Sequence, residues 1–286
     1  MITILWILCI AATVLILIGF LSCRVLKTVR YTVTFDNLPD AWNGRRILLF
    51  ADLHGASYGK DNQKLFDRIK NEDPDIVLVP GDLVTCYEKN IRKKKSAAQF
   101  IRRISETFPT YFSPGNHERK LLETYGSLGI TYSELKKLMG EKIHILENQS
   151  TDVDGIRITG LDLPLTYYER FRAPELTTDA ITERIGTKTD AFTVLLAHHP
   201  DYAPSYAAWG AELTLSGHNH GGIVRLPFLG GVISPRLKLF PKYDHGLFFE
   251  KDRCEVVTSG AGSHSVPIRL GNLPEIVIIT LKKGQI

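Results

Sequence analysis

The chain has 286 residues, of which 44% are hydrophobic and 23% charged. This mixture is typical of folded proteins and excludes disordered, collagen-like and disulfide-scaffold chains. The formal net charge of +4 is small for a dedicated nucleic-acid binder, and no C-x-x-C pair indicates a zinc finger.

The first segment, residues 2–23, contains no charged side chain. About twenty apolar residues in a helix rise about 30 Å, enough to cross the hydrocarbon layer of a bilayer. We therefore expect a transmembrane anchor over residues 1–23. A cleaved signal peptide is the alternative, although no Lys or Arg precedes the apolar run. Arg24, Lys27 and Arg30 follow it directly, so the positive-inside rule predicts a single-pass cell-membrane protein with its C-terminal domain in the cytoplasm.

After a juxtamembrane connector expected over 24–45, strands and helices alternate. Short apolar runs predict strands at 46–51, 75–79, 110–112, 143–146, 156–159, 192–197, 213–215, 247–250, 255–258 and 275–281. Apolar residues at helical spacing predict helices at 61–73, 97–108, 174–185 and 201–209, and the capping box of Thr131 and Glu134 predicts another helix that ends before Gly140. The early alternation and the strand-rich last third predict a layered α/β sandwich forming one domain over 46–286.

Five polar motifs stand where the predicted strands end. They are Asp52-Leu53-His54, Gly81-Asp82, Gly115-Asn116-His117-Glu118, His198-His199-Pro200 and Gly217-His218-Asn219-His220. Loops that follow strand ends are where α/β proteins assemble their sites, so these residues can converge although they are distant in sequence. Each motif alone has a structural explanation as a strand-end cap, a turn or a core histidine pair. Their conjunction favours a site.

The residue types in these motifs are those of a metal site. Carboxylate and carboxamide oxygens with imidazole nitrogens suit Mn²⁺, Fe or Zn²⁺ more than Ca²⁺ or Mg²⁺. Two adjacent ions need a bridging ligand, and an aspartate in a Gly-Asp turn can supply it because it has two oxygens. Glycine beside Asp82, Asn116 and His218 permits close approach of the backbone.

The motifs D-x-H, G-D, G-N-H-E, H and G-H-x-H in this order resemble those of the calcineurin-like metallophosphoesterases. The resemblance covers residues 46–282, and segments 217–227, 267–270 and 274–276 are similar to its membrane-anchored bacterial branch. That branch includes pyrophosphatases acting on UDP-2,3-diacylglucosamine. The resemblance implies a four-layer αββα sandwich and a hydrolase that cleaves a phosphoester or diphosphate bond with metal-activated hydroxide.

The resemblance also implies roles for single residues. Asp52, His54 and His220 would bind one divalent ion, Asn116, His198 and His218 a second, and Asp82 both. His117 would be catalytic, either stabilising transition-state charge or protonating the leaving oxygen. His199 is the alternative to His198 as a ligand, since only one of two neighbours on a strand should face the ions. We expect Mn²⁺ first, with Fe and Zn²⁺ as alternatives.

The expected substrate is a phosphorylated small molecule, with a lipid-linked one favoured by the membrane tether. The alternatives are a non-catalytic scaffold that binds a protein partner and a phosphodiesterase acting on soluble nucleotides. No nucleic-acid partner is expected, since an aromatic-basic stripe is absent. Residues 92–95 and 102–103 form a basic cluster, read as a solvated helix face in preference to a lipid-binding one. His144, His245 and His264 are expected to be structural, and a role in supporting the metal ligands is the alternative for His245 and His264, which share the C-terminal third with the G-H-x-H motif.

Overall fold

The computed structural model describes residues 1–87, 90–124, 126, 129–234, 237–263 and 267–284. Within these ranges the chain forms the helices α1 (Ile2–Ser22), α2 (Gln63–Glu72), α3 (Ile91–Ser105), α4 (Asn116–Glu123), α5 (Tyr132–Met139), α6 (Thr178–Ile185) and α7 (Ala203–Trp209). The strands are β1 (Lys27–Phe35), β2 (Arg46–Leu49), β3 (Ile76–Val79), β4 (Thr110–Phe112), β5 (Ile143–Ile145), β6 (Ser150–Val153), β7 (Ile156–Leu161), β8 (Phe192–Ala197), β9 (Leu213–Ser216), β10 (Val224–Leu226), β11 (Gly230–Ile233), β12 (Gly246–Glu250), β13 (Arg253–Val257) and β14 (Glu275–Lys283).

The first sheet has the strand order β1-β14-β2-β3-β4-β5. Strands β2 to β5 are parallel to one another, whereas β14 is antiparallel to β2 and parallel to β1. Parallel strands covered on both faces read as continuous apolar runs, and every residue of β3 is accordingly buried. Because β2, β3 and β4 are parallel neighbours, their carboxyl ends lie side by side at one edge of this sheet.

The second sheet has the strand order β12-β13-β9-β8-β7-β6. Its inner strands β13, β9, β8 and β7 are parallel, and each outer strand is antiparallel to its neighbour. This arrangement places the carboxyl ends of β8 and β9 next to each other. Strands β10 and β11 form a separate antiparallel hairpin.

Three of the four apolar clusters among the described residues hold the layers together. Successive residues of a strand point to opposite faces, so Leu48 of β2 packs in the core beneath α2, α3 and α5, while Leu49 packs in the core between the sheets. Helices α6 and α7 cover the outer face of the second sheet, where Trp209 and Leu195 share a third core. The layers therefore run helices, sheet, sheet, helices, which confirms the predicted αββα sandwich.

Most predicted elements are present, with ends that differ by a few residues. The capping box is confirmed, since Thr131 Oγ1 accepts a hydrogen bond from Glu134 N (3.1 Å) and Glu134 Oε2 accepts one from Thr131 N (2.8 Å). The helix predicted at 174–185 begins later, at Thr178, because the Thr177 hydroxyl caps it by accepting a hydrogen bond from Ala180 N.

Strand β1 lies inside the segment 24–45, for which the sequence predicts a connector. It pairs with β14 along its whole length, from Lys27 to Phe35. The sequence signal for it is the alternation of Val29, Tyr31 and Val33 with polar residues, which is typical of a half-exposed strand. The charges of Lys27 and Arg30, which follow the apolar segment closely, obscure that alternation. Helix α1 therefore joins the first sheet within a few residues of its end.

Candidate metal centre

The polar motifs occupy the loops that follow the parallel strands of both sheets. Asp52 and His54 follow β2, Asp82 follows β3, Asn116 and His117 begin α4 after β4, His198 follows β8, and His218 and His220 follow β9. Because the two sheets stack with these strand ends at the same side, the loops meet. All of these residues except the half-buried Asn116 are buried.

Among the described residues, three groups of side chains bring ligand atoms within 4.8 Å of one another. These groups are Asp52, His54 and His220; His54, Asp82 and His117; and Asp82, His198 and His218. Asp82 belongs to two of the three groups. The structure thus places this aspartate between the side chains from the two ligand sets that the family resemblance implies.

Short distances connect the two aspartates to the imidazoles. His198 Nε2 lies 3.0 Å from Asp82 Oδ2, and His54 Nε2 lies 3.9 Å from the same oxygen. Asp52 Oδ1 lies 3.5 Å from His220 Nε2 and 3.6 Å from His54 Nε2. Carboxylate oxygens and imidazole nitrogens therefore converge on a single buried space.

The backbone fixes the tautomers of two histidines. His198 Nδ1 lies 2.6 Å from Pro80 O, and a carbonyl can only accept, so Nδ1 carries the proton and the neutral ring presents the Nε2 lone pair to the site. His117 is the opposite case, because its Nδ1 accepts a hydrogen bond from Cys86 N (2.8 Å). Its proton is therefore on Nε2, which lies 3.9 Å from Asp82 Oδ2. His198 has the form of a ligand and His117 the form of a donor.

His199, the alternative to His198, faces a different environment. Its ring stacks on Tyr168 with the centroids 5.2 Å apart. Its Nδ1 accepts a hydrogen bond from Asp201 N (3.4 Å), and its carbonyl accepts one from Tyr206 Oη (2.8 Å). His199 lies in none of the three ligand groups found among the described residues.

Two buried oxygens indicate that the site fits a cation. Asp52 Oδ1 and Asn116 Oδ1 are buried and accept no hydrogen bond from the described residues. Leaving a buried polar atom unsatisfied costs about 1–3 kcal/mol, and a bound cation removes that cost. Oxygen and imidazole donors together match the preferences of Mn²⁺, Fe and Zn²⁺.

The charges of Asp82 and His198 depend on each other. Burial alone would raise the pKa of Asp82, but the imidazoles of His198, His117 and His54 hold it well below its ordinary value. Burial would likewise lower the pKa of His198, but the carboxylates of Asp82 and Asp52 raise it to about 9. Asp82 and His198 therefore each favour the charged form of the other.

Glu118 positions Asp82, and the sequence interpretation assigned it no role. Its carboxylate accepts hydrogen bonds from Asp82 N (2.8 Å), Gly115 N (3.0 Å) and Val84 N (3.2 Å). Burial, followed by repulsion from Asp82, raises the pKa of Glu118 to about 7. The available signal was a glutamate three residues after the residue that precedes α4, a spacing at which its side chain accepts from the backbone N–H of that residue, Gly115.

The loop backbone is held in uncommon conformations. Five residues of the cluster have positive φ: Asp52 (53°), His54 (50°), Asp82 (56°), His218 (65°) and His220 (51°). Such left-handed conformations at residues other than glycine cluster at functional sites. Glycine is needed at Gly115 and Gly217, where a Cβ would lie 2.2 Å from an oxygen of Asp82 and of Asp52.

Two further buried residues contact the His220 loop. Arg269 is 2% exposed; its Nη2 lies 3.2 Å from His220 Nδ1 and donates to Ser259 O (2.6 Å) and to Gly262 O. Asn272 donates to the carbonyls of His220 and Gly222. The sequence identified residues 267–270 only as similar to one branch of a family, and an arginine between apolar residues was the signal for its burial.

The histidines expected to be structural have partners away from the cluster. His144 stacks on Tyr111 at 4.7 Å between centroids, and His245 Nε2 lies 2.9 Å from Glu275 Oε2. His264 lies outside the described residues.

In the basic cluster on α3, Lys94 is buried and Arg103 lies 3.7 Å above the Phe66 ring, so this helix face is not wholly solvated.

Comparison with known proteins agrees with the geometry. Residues 45–222 match the family described as "Calcineurin-like phosphoesterase". The chain is 25% identical over 276 residues to "Uncharacterized metallophosphoesterase YkuE" of Bacillus subtilis, covering 92% of this chain and 88% of that protein. It is 25% identical over 244 residues to "Phosphodiesterase YaeI" of Escherichia coli, covering 82% of each. It is 26% identical over 265 residues to "Transmembrane protein with metallophosphoesterase domain" of Danio rerio, covering 90% of this chain and 58% of that protein.

The family match covers more than half of the chain and contains every residue of the three ligand groups. The family uses a dinuclear divalent metal centre, and Asp82 lies between two ligand groups here, as such a centre requires. The chain therefore belongs to the calcineurin-like phosphoesterases, a family of metal-dependent hydrolases.

Proposed function

We propose that this chain is a membrane-anchored phosphohydrolase that holds two divalent cations and cleaves a P–O bond in a phosphodiester or diphosphate, including lipid-linked ones. The observation that carries the proposal is the position of Asp82 between two groups of ligand atoms, with the Nε2 proton of His117 beside it.

The ligand sets are those that the family resemblance implies, and the three groups of close ligand atoms support them for every residue except Asn116. We assign Asp52, His54 and His220 to one cation, Asn116, His198 and His218 to the other, and Asp82 to both, with Mn²⁺ as the expected metal. When bound, the cations supply Lewis acidity that lowers the pKa of water and offsets the charge of the phosphate oxygens.

The protein supplies the remaining chemistry. His117 donates from Nε2, so it can stabilise negative charge that develops on a phosphate oxygen or protonate the leaving oxygen. Cys86 N keeps this donor in place by bonding to His117 Nδ1. Glu118 fixes the backbone on both sides of Asp82, so the bridging carboxylate needs little reorganisation during the reaction.

Helix α1 supports the membrane assignment. It is the one described helix long and apolar enough to cross a bilayer, and its side chains are exposed, unlike those of a core helix. With Arg24, Lys27 and Arg30 after the span, we place the catalytic domain on the cytoplasmic side. A signal sequence is the competing assignment, and the N-terminus of the mature protein distinguishes the two.

A non-catalytic scaffold is the competing function. Scaffolds that keep a catalytic fold need no complete ligand set, whereas every ligand type of a dinuclear centre is present here. The donor tautomer of His117 also has no purpose in a scaffold. Hydrolysis is therefore the better-supported function.

The test uses the full-length chain in detergent, stripped of metal and reloaded with Mn²⁺. Turnover of bis(p-nitrophenyl) phosphate, p-nitrophenyl phosphate and a nucleoside-diphosphate-linked lipid is compared in the wild type, Asp82→Ala and Asp154→Asn, an exposed aspartate that pairs with Arg45. We expect metal-dependent turnover that falls about 10³-fold in Asp82→Ala and is unchanged in Asp154→Asn. Absence of both turnover and bound metal in the wild type would favour the scaffold.

A further inference from the structure

A cavity of about 650 Å³ lies between the metal centre and the C-terminal end of α1. His54 lines it on the side of the metal centre, and Cys23 and Arg24 line it on the side of the helix. Tyr58 and Lys93 form part of the wall between them. The cavity therefore connects the residue that begins the juxtamembrane segment with a proposed metal ligand.

The end of α1 is attached to the domain at this cavity. Gly19 O accepts a hydrogen bond from Arg269 N (3.1 Å), and a Cβ on Gly19 would lie 2.7 Å from Ile268 Cγ2. The guanidinium of the same Arg269 lies 3.2 Å from His220 Nδ1. One buried residue thus contacts both the helix and the metal centre, which fixes the cavity between them.

Apolar side chains of α1 are exposed on both sides of this contact, and Leu21 (61%) follows it. On the N-terminal side of Gly19, apolar side chains of α1 are exposed, among them Trp6 (65%) and Leu17 (56%). In a membrane-anchored chain that surface contacts lipid, so the cavity lies at the level of the head groups. Tyr87, which lines the cavity and is 68% exposed, and Arg24 are residue types that favour this interfacial region.

A second cavity, of about 590 Å³, lies beside His199 and Asn219, in the loops that follow β8 and β9. It is lined by Arg170, Phe171, His199 and Asp201, and no residue of α1 is among its described lining residues. A lipid bound there would have its head group away from the anchor. A membrane lipid is therefore expected to bind at the cavity beside α1 and not at the second cavity.

We propose that the cavity at the end of α1 binds the head group of an anionic membrane lipid, with Arg24 paired to an anionic oxygen and the acyl chains left in the bilayer beside α1. This inference rests on the proposed function and names its substrate class. It also gives α1 a second role, since the helix forms part of the substrate site as well as the anchor. Arginine suits this position because its charge is permanent and its planar group pairs with phosphate oxygens.

The test compares two substrates that share one leaving group. Full-length protein is reconstituted with Mn²⁺ in phosphatidylcholine vesicles that contain the p-nitrophenyl phosphodiester of diacylglycerol, and bis(p-nitrophenyl) phosphate is added in solution to a parallel sample. In each reaction water adds to phosphorus, the P–O bond to the aryl group breaks, and p-nitrophenol is released. The readout is the ratio of kcat/KM for the embedded substrate to that for the soluble one.

We expect Arg24→Ala to lower this ratio about tenfold, the effect of losing one charge-assisted contact of about 1.4 kcal/mol, and Arg24→Lys to restore part of it. The matched control is Arg30→Ala, which removes a juxtamembrane charge that pairs with Glu72 outside the cavity. A ratio that falls equally in Arg24→Ala and Arg30→Ala would show a general effect of charge at the membrane and overturn the proposal.

A variant that does not change charge tests the same cavity. Ser57 is an exposed residue of its wall, so Ser57→Phe should narrow the cavity and lower the ratio, whereas Ser57→Ala should not. A fall in Arg170→Ala in place of Arg24→Ala would assign the lipid to the second cavity and contradict the proposal. Failure of the wild type to hydrolyse the soluble substrate would instead refute the proposed function.

Discussion

The two sheets contribute unlike halves to the metal centre. The loops of the first sheet supply both aspartates, Asp52 and Asp82, and the amide of Asn116, whereas the loops of the second sheet supply only imidazoles from the cluster. Buried carboxylates need donors, and each aspartate accepts a hydrogen bond from a backbone N–H, that of His218 or of His117. The negative charge that attracts the cations is therefore concentrated in the first half, and the second half mainly completes the coordination.

The largest expected effect comes from comparing an aspartate of the first sheet with a histidine of the second. Asp52→Asn removes a buried charge and should lower kcat/KM about 10³-fold, whereas His220→Gln removes a neutral donor from the same ligand group and should cost about tenfold less. Metal content measured by mass spectrometry should fall in the same order. Equal losses in the two variants would show that ligand number, and not charge, decides cation binding.

The next prediction concerns the residues behind the ligands. Glu118→Gln keeps the shape of the side chain but cannot accept from three backbone N–H groups as strongly, so metal affinity should fall about 10–100-fold. The matched control is Glu255→Gln, since Glu255 is a buried carboxylate on β13 of the second sheet that accepts from Ser216 Oγ (2.6 Å). Competition with a fluorescent chelator measures the metal affinity of both variants. A comparable loss of affinity in Glu255→Gln would contradict the difference between the two sheets.

A third expected effect concerns stability and not activity, at the seam between the halves. Glu275 begins β14 of the first sheet and accepts hydrogen bonds from Ser259 N (2.9 Å) and Thr258 Oγ1 (3.2 Å), in the loop after β13 of the second. Burial would raise the pKa of Glu275, but the hydrogen bond and charge of His245, with Lys27, lower it to about 2.

A lowered pKa in the folded state means that the ionised carboxylate stabilises the fold above its ordinary pKa and that this contribution disappears as the pH falls from about 4.5 toward 2. The contribution at neutral pH is on the order of 3 kcal/mol. We expect the thermal unfolding midpoint of the wild type in detergent to fall through this pH window and that of Glu275→Gln to be lower and flatter. Parallel curves for the two proteins would exclude this role for Glu275.

The local patterns of the sequence were sufficient to predict the layers of the fold. Strands such as β3 and β8 are continuous apolar runs because parallel strands are covered on both faces, and α5 is delimited by the capping box of Thr131 and by Gly140. Strand β1 escaped prediction because one face of an edge strand is half exposed, and its polar residues resemble a juxtamembrane segment. The hairpin of β10 and β11 is short and lies outside both sheets, so no strong periodicity marks it.

By itself, the sequence determined which residue types gather at the strand ends, because the order of the polar motifs and the apolar runs before them are local properties. Only the tertiary structure decided that His198 and not His199 faces Asp82, that the proton of His117 lies on Nε2, and that Glu118 and Arg269 support the centre. Each of these depends on a contact between residues distant in the chain, such as His198 with Pro80 O or Arg269 with His220. Spacing along a sequence carries no record of such contacts, because they arise only when the two sheets pack and helix α1 docks against the domain.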